Sequence, residues 1–462
     1  MSSRLQRRQK KECTVIAIYH KFCRKRTVAL VMNQLVENCQ YLTKVENVSA
    51  NIMVSHMFNT THKTTKIWLC TLLLILLGGP ASLVCGAESF EQWINTFYSV
   101  AAKDGVSRQT FDFAFKGVTE PDPIVLKKAS YQPEFRSTVW DYLDARVNIL
   151  SAEKGKKKDR YYRRTLDAVV EKFGVRRSVI LAIWSMESNY GDILQKTERL
   201  HYVPRALATL GYGDPKRGKF ARSQLVAALK ILQAGDVKKD QFMGSWAGAM
   251  GHTQFIPTSY LAYGVDMDGN GRRDIWNSVP DALATAANLL SKNGWRTGKT
   301  WGYEVIVPAD KRGLEGETKL LEDWQKLGVV RPGSKSFSWP KDKGVLKFFA
   351  GKNGPAFLVM KNFYVIKRYN NSDSYALAVG MLADKIAGVG GMTGKWPRPE
   401  GALLVDEKIE LQLLLQGKGY YSGAIDGALG KGSREAIRVY QRTVGVTVNG
   451  EPTSELLKQL RR

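Results

Sequence analysis

Beyond residue 87 the sequence has no cysteine. All five, at positions 13, 23, 39, 70 and 85, lie ahead of that point. Such a chain can enter an oxidising compartment without a disulfide framework, and its core must hold the fold unaided. Histidine is nearly as scarce, with only His201 and His252 after residue 87. Zinc sites built from Cys and His are thereby nearly excluded, and a Cys–His nucleophile pair is excluded outright. No internal repeat is visible. Nothing shows the basic and aromatic alternation of a nucleic-acid module, so nucleic acid is not an expected partner. Acidic charge is in the minority: 69 Lys and Arg stand against 43 Asp and Glu, a net charge of +26. Residues 1–87 hold 12 of those basic and 3 of those acidic side chains, so the remainder keeps +17. A basic exported protein meets a polyanion such as a cell-wall polymer or anionic lipid. The plainer alternative is that the charge serves solubility.

One apolar run stands apart from the rest. IWLCTLLLILL (67–77) follows Lys63 and Lys66 and leads through small residues to CGA at 85–87. That is the order of a secretory signal, so residues 1–87 read as a leader and the protein as periplasmic. Its depth in the chain points to a start at Met53 or Met57, with 1–52 a misassigned start or an unusual leader. Uncharged sequence from Ile67 to Ala87 is just long enough to span a bilayer. Membrane association through an uncleaved leader therefore stays open. Lipidation at Cys85 is the weaker reading, because SLV before it lacks the small residue expected there.

With 44% hydrophobic and 24% charged residues, the rest reads as globular. Helical spacing runs through FEQWINTFYSVAAKDG (90–105), STVWDYLDARVNILSAEKG (137–155) and LDAVVEKFGV (166–175). RRSVILAIWSME (176–187) is apolar all round, the mark of a helix buried on most sides. Further helices fit 203–212, 220–235 and 280–293. From 301 to 360 the texture changes to short β-type runs, YEVIVP, GVLKFF and PAFLVM, which read as a small α/β insertion. Helical character returns over 362–388. GVGGMTGKWPRPEG (388–401) is dense in Gly and Pro, giving a linker at 389–401. Residues 402–462 form a small unit with helices at 408–419, 433–445 and 453–460. The expected architecture is mainly α: a helical domain over 88–388 carrying the insertion, then a C-terminal three-helix module.

Within WSMESNYG (184–191) a single carboxylate leaves an apolar helix that stops at once. A carboxylate in the last helical turn feels the negative end of the macrodipole. Packing near Trp184 and Ile183 would remove water from it, and both effects raise its pKa. A glutamate kept protonated near neutral pH suits the general acid of glycosidic cleavage. Ser188, Asn189 and Tyr190 can offer hydrogen bonds, and Gly191 ends the helix. The plainer alternative is a solvated glutamate at a helix end. A second stretch, GSWAGAMGHTQFIPTSY (244–260), sets small Gly and Ala residues among aromatics. Small residues let backbone approach a ligand closely, and aromatic faces suit sugar rings. Gln254, in an apolar turn, can read a sugar substituent, or simply be a buried, satisfied amide.

Together MESNYG, SWAGAMGHTQFIPTSY and NFYVIKRYNNSDSYA (362–376) closely resemble the membrane-bound B-type lytic murein transglycosylases, in the expected order. The resemblance covers roughly residues 88–388. It implies a lysozyme-like α-helical fold with added subdomains, cutting the β-1,4 bond between N-acetylmuramic acid and N-acetylglucosamine in peptidoglycan. It implies Glu187 as the sole catalytic acid/base, with Ser245 and Gln254 lining the sugar site and Tyr369, Asn370 and Tyr375 flanking the cleft. Asn189 and Tyr190 match through the first motif. Chemistry runs parallel to this. One glutamate can protonate the glycosidic oxygen and then take the proton of the muramyl C6 hydroxyl as it attacks C1. That leaves a 1,6-anhydromuramyl end and consumes no water. A hydrolytic muramidase would need a second carboxylate or a placed water, and Asp192 and Asp266 are the nearby carboxylates. A non-catalytic peptidoglycan-binding protein that kept the fold is the other alternative.

DMDGNGRRDIWN (266–277) reads like the first half of an EF-hand loop: Asp266, Asp268 and Asn270 at positions one, three and five, and the Arg272 carbonyl at seven. Position twelve is Asn277, where a bidentate glutamate is normal, and Asp281 can substitute from further along. Some relatives of the resembled family carry calcium here, where an ion would be structural; no cofactor is required. The alternative is an Asx/Gly turn held by its own hydrogen bonds. GYYSGAIDGALGKGSREAI, within the C-terminal unit, resembles a small three-helix peptidoglycan-binding domain. Tyr420, Tyr421 and Arg434 are candidate ligand contacts there, and Asp426, set among glycines, reads as a turn residue rather than a catalyst; the plainer alternative is a small helical module with one tight turn.

Overall fold

The computed structural model describes residues 88–130 and 138–462. The leader expected over 1–87 lies outside the described residues. Among those residues no helix is long and apolar enough to cross a membrane.

Helices dominate. The first group is α1 (Phe90–Lys103), α2 (Arg108–Phe115), α3 (Pro123–Ser130), α4 (Val139–Arg146), α5 (Ile149–Tyr161), α6 (Arg163–Phe173) and α7 (Arg177–Ser188). A capping box starts α1: Ser89 Oγ accepts from the Gln92 amide at 3.2 Å while Gln92 Oε1 accepts from the Ser89 amide at 3.0 Å. The helix expected over 137–155 is two helices. The first closes at Val147 and Asn148 caps the next, its Oδ1 accepting from the Ser151 amide at 2.9 Å, and the chain turns there. The central helix α7 is as buried as its composition demands: Val179 through Trp184 are at most 1% exposed.

Next come α8 (Val203–Gly213), α9 (Gly218–Ala234), α10 (Pro257–Tyr263) and α11 (Val279–Lys292), with a two-stranded pairing of β1 (His201–Tyr202) and β2 (Met243–Gly244). The glycine-rich stretch from 244 is irregular until Pro257 starts α10. Gly248 and Gly251 there have positive φ, and a Cβ on Gly251 would meet the Ile275 carbonyl at 2.4 Å. The insertion is a four-stranded antiparallel sheet of order β3-β6-β5-β4, from β3 (Gly302–Val305), β4 (Thr318–Leu320), β5 (Lys343–Phe348) and β6 (Ala356–Val359), with α12 (Leu321–Lys326) between β4 and β5. Central strand β6 is buried throughout. Its Ala356 and Leu358 face the insertion core around Trp324, while Phe357 and Val359 face the helical body. The insertion is thereby joined to the helices through β6, and Lys347 of β5 adds an ion pair with Asp373 at 2.5 Å.

Then α13 (Lys361–Ile366) and α14 (Asp373–Ile386) close the helical body. The helical stretch expected over 362–388 is thus broken by the turn at 367–372, where Ser372 caps α14. Residues 389–401 have no helix or strand. Three C-terminal helices follow, α15 (Val405–Gly417), α16 (Lys431–Thr443) and α17 (Ser454–Leu460), around a small core of Leu411, Leu415, Ile437, Tyr440 and Leu457.

Candidate active site

Helix α7 delivers Glu187 and then reverses. Asn189, Tyr190 and Gly191 have φ of 51°, 61° and 94°, three left-handed residues in a row. Only four non-glycine residues among those described have positive φ; two of them sit here and a third is Gln254. Left-handed backbone at side-chain-bearing residues is strained and persists only where its surroundings enforce it. The enforcement is visible. Ser188 Oγ donates to the His252 carbonyl at 2.6 Å and accepts from the Gly191 amide at 2.9 Å. A Cβ on Gly191 would meet the His252 ring at 2.6 Å, so the turn admits glycine only. The Tyr190 hydroxyl donates to the Ser151 carbonyl at 2.8 Å.

Around the carboxyl stand three tyrosines. Tyr375, buried on α14, donates its hydroxyl to Glu187 Oε1 at 2.5 Å. Tyr369 stacks on Tyr375 with ring centroids 6.4 Å apart and donates to the Thr253 carbonyl at 2.6 Å. Tyr142 on α4 lies within reach of the Glu187 charge; burial, and that charge with it, push its hydroxyl up, and the Arg146 guanidinium sits 4.6 Å above its ring. Glu187 is half-buried, and this crowded surrounding pushes its carboxyl up from 4.5 to about 7. Loss of water is the main cause; the Tyr375 hydrogen bond and the Arg146 charge pull the other way. The same burial, with the glutamate alongside, holds Tyr369 and Tyr375 well above the usual phenol range. The Trp184 ring packs among Tyr162, Tyr190 and His252, each 5.6 Å away.

The expected site residues therefore separate into groups. Glu187, Tyr369 and Tyr375 come together. Gln254, at φ 48°, lies between Thr253 and Phe255, both of which touch Tyr369; its amide donates to the Gly251 carbonyl at 2.8 Å. Asn370 is exposed beside Tyr369. Ser245 shapes its own loop, with Oγ accepting from Ala247 and Ala249 amides at 3.3 and 3.0 Å. Asn189 is exposed and donates to Asp192 at 2.9 Å, and Tyr190 is buried structure. Both carboxylates weighed as partners for Glu187 are engaged elsewhere. Asp192 pairs with Lys154 at 2.5 Å, and Asp266 accepts from the amides of Gly269, Asn270 and Gly271.

Sequence reasoning missed Tyr142, Arg146, Ser188 as a brace, and His252. The 142/146 spacing puts Tyr142 and Arg146 on one helix face, but nothing in it names the partner. His252 was visible as one of two late histidines. It accepts from the Trp184 indole at 3.3 Å, and burial pushes it down to about 4, so it stands neutral as a structural wedge.

In the 266–281 loop the Asx turns are present: Asp268 Oδ1 accepts from the Asn270 amide and Asn270 Oδ1 from the Arg272 amide, at 3.2 and 2.9 Å. Asn277 turns away to Asp274. Fully buried Asp281 comes in instead, accepting from the Met267, Asp268 and Asp274 amides. Carboxylate oxygens of Asp266, Asp268 and Asp281 all lie within 4.8 Å of one another.

A helical body with one half-dry glutamate at the end of its central helix defines the lysozyme-like class. The chain belongs to the transglycosylase SLT domain family, which it matches over residues 89–384. Residues 406–460 match a peptidoglycan binding domain. Membrane-bound lytic murein transglycosylase B of Escherichia coli (strain K12) is 31% identical over 229 residues, which span 49% of this chain and 61% of that relative's length. SltB3 from Pseudomonas aeruginosa, solved in complex with NAG-anhNAM-pentapeptide, is 44% identical with a TM-score of 0.64, over 81% of this chain and 100% of that one. Slt35 from Escherichia coli, solved in complex with calcium, is 23% identical with a TM-score of 0.54, over 64% of this chain and 93% of that one, and speaks to the fold alone.

Proposed function

We propose that the protein is a periplasmic lytic transglycosylase that cuts peptidoglycan glycan strands without water, with Glu187 as its single acid/base. The observation that carries this is the half-buried Glu187 carboxyl at the end of α7, bonded by Tyr375 and raised to about 7, with Asp192 and Asp266 both engaged elsewhere. Near neutral pH it can carry a proton to the glycosidic oxygen. Tyr375 holds Oε1, which leaves Oε2 as the donor. As the bond from C1 to the leaving oxygen breaks, charge builds at C1. The muramyl C6 oxygen then bonds to C1, and its proton returns to Glu187. The Tyr375 hydroxyl and the Arg146 charge favour the carboxylate between the two transfers. Tyr369, Gln254 and Asn370 line the approach, while Ser245, Asn189 and Tyr190 build the loops that carry it. The anhydro sugar bound to SltB3 supports this product. The C-terminal module, by its family match, holds the enzyme on the wall.

The oxygen set of Asp266, Asp268, Asn270 and Asp281 with the Arg272 carbonyl suits a hard divalent cation such as calcium. An ion there would pin the loop preceding α11 and take no part in the reaction.

Digestion of purified sacculi with mass spectrometry of the products tests the reading. Wild-type protein should release muropeptides one water lighter than hydrolysis products, and Glu187→Gln should release none. Products of hydrolytic mass would replace the mechanism, and unchanged release by the variant would end the assignment of Glu187.

A further inference from the structure

The Gly- and Pro-rich segment 389–401 is tied down at three points. The Thr393 and Gly394 amides donate to the Glu304 carboxylate at 3.0 and 2.6 Å, Trp396 stacks on Phe357, and Arg398 forms a fork on Asp144 with two contacts of 2.7 Å. Lys408, from the first helix of the C-terminal module, completes the clamp at 2.9 Å. Asp144 is 7% exposed, and the Arg398 and Lys408 side chains are 13% and 19% exposed. This grip falls on α4, the helix that also carries Tyr142 and Arg146. Residues four apart share a helix face, and the residue midway between them points the opposite way. The helix therefore puts Tyr142 and Arg146, whose charge reaches Glu187, on one face and Asp144 on the other, toward the clamp. It has only eight residues; Leu143 lies in the core, Val139 and Tyr142 pack partly against it, and Asp144 is buried in the clamp.

We propose that Asp144 is a positioning residue: through Arg398 and Lys408, the strap and the C-terminal module hold α4 so that Tyr142 and Arg146 stay against Glu187. The module then completes the wall of the active site as well as anchoring the enzyme. The proposal takes Glu187 as the reacting group, as above. Charged and titratable groups facing Glu187 come from several elements: Tyr142 and Arg146 on α4, Tyr369 in the turn, and Tyr375 on α14. On its flank, Lys154 and Lys158 of α5 face Asn189, Asp192 and Trp184, and His252 lies behind Ser188. Of these, Arg146 is the cation whose field reaches the carboxyl and favours its ionised form. Releasing α4 removes that field.

The test uses the full chain with Arg398→Ala and Lys408→Ala combined, and a soluble glycan of a few sugars that cannot engage the module and the cleft together. A mere tether predicts unchanged turnover on this substrate. Positioning predicts at least a tenfold fall in kcat with KM little changed, an alkaline limb of the pH profile moved upward, and recovery of most of the loss with Arg398→Lys alone. Carboxyl 13C NMR, with Glu187→Gln used for assignment, should show the Glu187 midpoint moving up from about 7 in the double variant. Unchanged kcat, or a loss of activity with an unmoved midpoint, overturns the proposal. Absence of anhydro product from the wild type would overturn the function instead, and the NMR midpoint would still decide the clamp.

Discussion

Glu187→Gln should stabilise the protein at alkaline pH while silencing it. In the fold the carboxyl titrates near 7 rather than 4.5. Each unit is worth about 1.4 kcal/mol, so holding Glu187 ionised costs the native state roughly 3 kcal/mol, somewhat less because the group keeps part of its contact with water. The sign follows from which state binds the proton. Between 4.5 and about 7 the folded chain holds it more tightly than the unfolded chain. The contribution to stability is therefore fully present below the lower value and lost as pH rises through the upper one. Glutamine is neutral throughout, and its amide oxygen can still accept from Tyr375. Near pH 4 the variant and the wild type should unfold together. At pH 8 the variant should be more stable by up to about 3 kcal/mol, on the order of 5 °C in Tm for a chain of this size. Calorimetric scans at both pH values are enough. A variant that is less stable at pH 8, or equally displaced at both, would mean that Glu187 is not held in a water-poor site.

Tyr375→Phe removes the 2.5 Å hydrogen bond that favours the ionised glutamate. A bond to a charged group contributes about 1.5–3 kcal/mol, so the alkaline limb of muropeptide release should move up by roughly 1–2 pH units; an unmoved limb would show the hydroxyl to be idle. Millimolar calcium should raise the Tm by a few degrees and a chelator should reverse it, since a ligand at a hundred times its Kd adds about 2.7 kcal/mol. Asp268→Asn, exposed and still able to accept from the Asn270 amide, should abolish that response without large loss of stability; no calcium response in the wild type would leave the loop as a self-bonded turn.

What the sequence shows depends on how far each feature reaches along the chain. Helix α7 was plain because an unbroken apolar run can bury itself only one way, and β3, β5 and β6 because their runs are short, branched and fenced by Gly, Pro and Lys. Edge strand β4 was not, since Thr318–Leu320 has no apolar pattern and gains its hydrogen bonds from β5 alone. The break at Asn148 was legible in principle, as Asn before a new apolar register is a capping signal. Glu187 stood out locally, yet what makes it an acid does not: Tyr375 lies 188 residues away, and Tyr142 comes from a helix with no motif at all. The motif resemblance supplied Tyr375 and could not supply Tyr142. Segment 389–401 sharpens the point. Glycine and proline describe how freely such a chain moves when nothing grips it. Whether it is gripped is decided by Thr393, Trp396 and Arg398, three ordinary surface residues whose partners lie in elements far apart in the sequence. Composition therefore reads as a linker what folding turns into a strap, and the strap ends on the helix that faces the reacting carboxyl.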